Sequence, residues 1–149
     1  SSMGASTLGG ESTTAQIAIA ASIDGGLTYT QSINSSNLTD MVADIQIDEK
    51  HVGLEGMIYV LLGSKSTGAL QLDQFGRLTN WDGSLENLTP FIGLKPLHTL
   101  EHFKFFDDVQ IDNSFAGEQI VVYIAYQIPS TGDFIYATNP LLLDVDYTP

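Results

Sequence analysis

Apolar residues along this chain recur at every second position rather than every third or fourth, which is the period of pleated strands. In AQIAIAASI, Ile17, Ile19, Ala21 and Ile23 fall on one face, with Gln16, Ala18, Ala20 and Ser22 on the other. Asp24-Gly25-Gly26 supplies glycines that accept positive φ, so a hairpin turn is expected there. A second alternating run then passes through Leu27, Tyr29, Gln31 and Ile33. Val42, Ile45 and Ile47 mark a further strand, and Met57 to Leu62 another. Residues 69–72 and 77–81 flank a tight turn with Gly76 at the position that needs φ > 0. The runs EQIVVYIAY (118–126), DFIYAT (133–138) and LLLDVDY (141–147) are β-branched and aromatic, bounded by Gly, Pro, Asn or Ser-Thr pairs. Helical signal is confined to one short turn near residues 84–89, with Asp82 or Ser84 as cap and Pro90 as stop. The pattern predicts an all-β chain, a single immunoglobulin-like antiparallel β-sandwich of about seven to nine strands.

Residues 1–14 hold four Ser, three Thr and three Gly and read as a flexible or partner-bound leader, with residues 1–6 also readable as a tag remnant. The sandwich domain then spans residues 15–149. Because the first strand emerges directly from the leader, it is a natural edge strand, and edges pair with other chains. Ile17, Ile19, Ala21 and Ile23 therefore form a candidate interaction strand, donated to the sheet of a neighbouring subunit.

Charge narrows the partners. Five basic residues face 18 acidic ones, for a net charge of −13. Such a surface repels phosphate backbones and anionic membranes, so nucleic acid is excluded as a partner. The chain has no cysteine, which excludes disulfides, zinc–thiolate sites and thiol catalysis. No run of about 18 apolar residues is present to span a membrane. Few Lys beside many Asp, Ser, Thr and Gly point to a secreted or cell-surface protein.

Candidate chemistry is sparse. Trp81, the sole tryptophan, precedes Leu85, Leu88 and Phe91 at spacings of four, three and three, which predicts a plug closing one end of the core. The alternative is an exposed Trp81 between Asn80 and Asp82, a stacking platform for sugar joined by Tyr59, Tyr126 or Tyr136. Asp107, Asp108 and Asp112 are the candidate calcium ligands, since sandwich loops gather carboxylates at one end. Asp144 and Asp146 alternate with Leu143, Val145 and Tyr147 and read as a solvated strand face. His98 and His102 lack the glutamate placement of a zincin, and no serine sits in a G-x-S-x-G elbow. The chain is therefore expected not to be an enzyme and to need no cofactor, the carboxylates reading as a charged surface that keeps edges from aggregating, with calcium binding as the alternative.

Four motifs occur in order: Gly56-Met57-Ile58-Tyr59-Val60; Trp81 through Phe91 in the form W-x-x-x-L-x-x-L-x-P-F; Ala125-Tyr126; and Ile135-Tyr136 through Pro140-Leu141. Across residues 43–145 this order resembles a β-sandwich module that recurs in large exported bacterial proteins. Ala125 stands where the module usually has glycine. The resemblance implies location and fold, and the module has no known common enzymatic activity. Together these readings predict a non-catalytic extracellular structural or interaction module. It would belong to a surface adhesin or a fibre subunit, with protein partners in a homo-oligomer or filament, or it would bind a glycan through exposed aromatics.

Overall fold

Two facing sheets take up the alternating strands in the computed structural model, which describes residues 4–148. The larger sheet contains β1 (Ala5–Thr7), β3 (Ser32–Ile33), β5 (Glu55–Ser64), β6 (Gly68–Leu72), β7 (Leu78–Asn80), β8 (Ile92–Pro96), β10 (Gln119–Ile128), β11 (Asp133–Ala137) and β12 (Leu141–Val145). Its main path runs β1-β11-β10-β5-β6-β7, with β12 beside β10 and β8 beside β5. The smaller sheet is β2 (Gln16–Ser22), β4 (Leu38–Gln46) and β9 (Leu100–Gln110), in the order β2-β4-β9. Pairing is antiparallel except between β3 and β12. The chain is an all-β sandwich, as the period of two predicts.

Side chains from alternate positions fill the space between the sheets. Ile17, Ile19 and Ala21 of β2 meet Met41, Ala43 and Ile45 of β4 on one side. Ile58, Val60 and Leu72, with Ile120, Val122, Ile124, Tyr126 and Ile128 of β10, supply the other. Trp81 is not among the core residues.

Several expectations are corrected. The leader is tied down rather than loose: β1 pairs with β11, and the Ser6 and Thr138 hydroxyls lie 2.8 Å apart. Residues 1–3 of the suggested remnant lie outside the described residues. The candidate donor strand lies in its own sheet, with Ile17, Ile19 and Ala21 wholly buried beside β4, while Ile23 falls beyond the strand end and is exposed. Gly25 and Gly26 do take positive φ, but the return is limited to a single antiparallel bridge of Thr30 to Ala21, residues 27–31 form no strand, and Leu27 is 85% exposed. Asp24 is the cause: its carboxylate accepts from the Thr28 N–H, the Thr28 hydroxyl and the Ser22 hydroxyl, a local loop that competes with a ladder. Those bonds, the Thr28 hydroxyl first, hold the Asp24 carboxyl down to about 2. Among the described residues there are three 3₁₀ turns rather than one, at Glu49–His51, Leu85–Asn87 and Asn113–Phe115.

One end of the sandwich is closed by a polar network. The Tyr126 hydroxyl accepts from the Asp48 N–H at 3.2 Å and lies 2.8 Å from Nδ1 of the buried His51. His51 Nε2 sits 2.9 Å from Asp133 Oδ2, which the Thr131 hydroxyl also reaches. Asp48 in turn accepts from the Thr13 hydroxyl at 2.6 Å and from the Thr14 N–H. A network of this kind is stabilising only when complete, because each orphaned member bears its full desolvation cost. Burial opposes ionisation of Asp48, but bonds from Thr13, Lys50 and Thr14 outweigh it and hold its carboxyl below the usual range. The bond from His51, then that from Thr131, lowers Asp133 likewise.

Two predictions follow from this architecture. Carboxylates lowered in the folded state stabilise it fully above their unfolded value of about 4 and lose that contribution as pH falls through the folded one. The melting temperature should therefore hold steady from neutral pH down to about 5 and fall below about 4. Asp48→Asn should flatten the acid limb in a thermal scan across pH. Separately, Thr39 is wholly buried and its hydroxyl has no hydrogen-bond partner among the described residues. Thr39→Val should raise stability by about 1 kcal/mol in urea unfolding, since it removes an unsatisfied buried group.

Candidate functional site

The outer face of the larger sheet is shaped by β10 and β5, whose alternate residues point away from the core. Val121 and Tyr123 of β10 lie beside Leu61 and Gly63 of β5, their antiparallel partners. Gly63 is required here: a Cβ would meet the Gly68 carbonyl oxygen at 2.5 Å, so no side chain rises from this part of the floor. The segment 81–91 folds back over the same face and makes a wall.

Gln71 pins that segment. It points outward from β6 yet is buried beneath the loop, where its Oε1 accepts from the Thr89 N–H at 2.7 Å and its Nε2 donates to the Asn87 carbonyl. Leu88 then packs on a small satellite cluster of Tyr59, Ala125 and Phe134. At the start of the loop the Trp81 N–H bonds the Ala69 carbonyl, and the indole N–H donates to the Ser84 carbonyl at 2.8 Å. Asp82 accepts from the Ser84 N–H, and the Asn87 side chain reaches it too. These bonds, the Ser84 N–H first, lower the Asp82 carboxyl.

The result is an open apolar groove of about 360 Å³ floored by Leu61, Val121 and Tyr123 and walled by Trp81, with Ser64, Lys65 and Gln119 among its lining residues. Trp81 is half-buried and Tyr123 is exposed. The predicted plug is thus divided among three places: Trp81 in the groove, Leu88 on the satellite cluster, and Phe91 against Phe103 with ring centroids 5.7 Å apart. Of the other suggested platform aromatics, Tyr59 and Tyr126 are buried and Tyr136 packs on the satellite cluster. Tyr123 was not anticipated, although strict alternation along EQIVVYIAY places it opposite Ile120, Val122, Ile124 and Tyr126.

The acidic candidates separate. Asp107 and Asp108 do come together, but their third member is Asp40, with all three carboxylates within 4.8 Å of one another. Asp40 accepts from the Asp108 N–H at 2.7 Å, in a stretch where Asp108 has a φ of 51°. The Lys104 ammonium lies 3.8 Å from Asp40 and 3.5 Å from Asp107, so a cation of the protein's own offsets part of the group's charge and leaves it negative. Asp112 stands apart and caps the turn at Asn113–Phe115 by accepting from the Ser114 N–H. His98 and His102 also separate: His98 and Lys95 engage Glu101, while His102 engages Asp44 across the sheet.

No protein-family model and no curated protein matches this chain. Among the described residues no helix is long and apolar enough to cross a membrane.

Because Trp81 lies outside the core, Trp81→Ala should cost about 1 kcal/mol or less, whereas Ile124→Ala should cost about 2–5 kcal/mol. Chemical denaturation of the two variants beside the parent chain measures both. Equal, large losses would place Trp81 in the load of the core.

Proposed function

We propose that this chain is a non-catalytic interaction module of an exported, cell-surface protein, and that it holds a glycan on the outer face of its larger sheet. The observation that carries this reading is Trp81 standing outside the core beside exposed Tyr123, over an apolar floor with hydrogen-bonding side chains in its lining. Sugar rings present apolar C–H faces that stack on aromatic rings, and hydroxyls that require polar partners at the edge. Lys65, Ser64 and Gln119 supply such partners. A net charge of −13 disfavours acidic polysaccharides, so the ligand is a neutral sugar.

This reading favours the adhesive over the polymerising form of the module. Strand donation requires β2 to leave its own sheet, and Ile17, Ile19 and Ala21 would take their buried area with them. The resemblance to modules of exported bacterial proteins and the acidic, cysteine-free composition support the cell surface as its setting.

The test is a neutral-glycan array followed by titration calorimetry on the hits. Trp81→Ala and Tyr123→Ala should each weaken binding by about tenfold or more, roughly 1.4 kcal/mol, while leaving the thermal transition near that of the parent. Trp81 emission should shift on saturation. An array with no neutral-glycan hit for the folded chain would sink the proposal.

A further inference from the structure

A second hollow lies between the two sheets, across β5 and β6 from the outer groove, with which it shares Leu62, Gly63, Ser64 and Leu70. It measures about 270 Å³ and is lined chiefly by Leu62, Leu70 and Leu78 of the larger sheet, by Met41 and Phe106 of the smaller, and by Phe115. Both β7 and β9 are edge strands of their sheets, so the hollow lies under two free edges and opens at the side of the sandwich. We propose that it is a binding site for an uncharged aliphatic chain of about ten carbons, since an apolar cavity of about 150 Å³ takes the six carbons of benzene.

The edge itself argues against the other natural occupant, an added peptide strand. β9 carries an extra residue opposite β4 in two places, between Thr39 and Met41 and between Met41 and Val42. Lys104, Asp107 and Asp108 stand on the same stretch. Bulges and charges of this kind blunt an edge against strand addition. An aliphatic chain needs no backbone ladder and is indifferent to them.

Charge decides the head of the ligand. Asp112 lines the hollow, Asp107 and Asp108 lie close along β9, and the chain as a whole is at −13. A carboxylate head would be repelled there, which excludes free fatty acids at neutral pH.

Titration calorimetry with 1-decanol and with decanoate tests this without reference to the glycan reading. Decanol should bind saturably at one site, and decanoate at least tenfold more weakly at neutral pH. Leu78 is about half exposed at the rim, so Leu78→Trp and Leu78→Lys should fold and should both lose decanol binding. Trp81→Ala should bind decanol like the parent. No decanol binding by the folded chain, unchanged binding by both Leu78 variants, or loss of binding in Trp81→Ala would each overturn the proposal, the last by moving the alkyl chain to the outer groove.

Discussion

A pleated strand must send consecutive side chains to opposite faces, and β10 is where this constraint governs the whole molecule. It pairs with β5, β11 and β12, so its register sets theirs. Ile120, Val122, Ile124, Tyr126 and Ile128 build the core, which obliges Val121, Tyr123 and Ala125 to face outward. The first two become the floor of an open groove, and the third is covered by the loop that Gln71 holds down. Core and surface site are two sides of one strand. A slip of one residue would exchange them.

Polar bonds do at the ends of the sandwich what apolar contact does in its middle. Tyr126 carries the constraint from β10 to His51, and from there to Asp133 at the β10–β11 turn. Asp48 brings in Thr13 and Thr14, which lie between β1 and β2. Three segments far apart in the chain, 13–14, 48–51 and 126–133, thus share one set of bonds. The outer loop follows the same logic on a smaller scale, since Gln71 and Asp82 satisfy backbone groups that water would otherwise have to reach.

Strands were legible in the sequence where burial of one face enforces period two; β2, β5, β10, β11 and β12 all show it. Gly76, with a φ of 77°, was legible because the turn between β6 and β7 has no alternative there. What escaped was decided by side chains with local options. Asp24 captured Thr28 and ended an apparent alternation early. Trp81 was read as core because its spacing to Leu85 and Leu88 suits a buried face, yet Gln71 fastens that loop to the outside of the sheet. Asp112 follows Asp107 and Asp108 closely in sequence, but bulges in β9 turned the pair toward Asp40 on the neighbouring strand. Contacts between distant strands leave no linear trace, so the composition of the groove and the inter-sheet hollow could not be read ahead of the fold.

The pairing of β1 with β11 has a consequence in time. Ser6 and Thr138 are 132 positions apart, so the ladder they flank closes one of the longest loops the chain contains. Contacts of such separation form late, after the hairpins of β5–β6 and β10–β11 whose partners are neighbours in sequence. Until then the outer edge of β11 stands open on a nearly finished sheet. Although β1 precedes β11 in the sequence, it is among the last of the described strands to find its place, so the order of assembly departs from their order along the sequence.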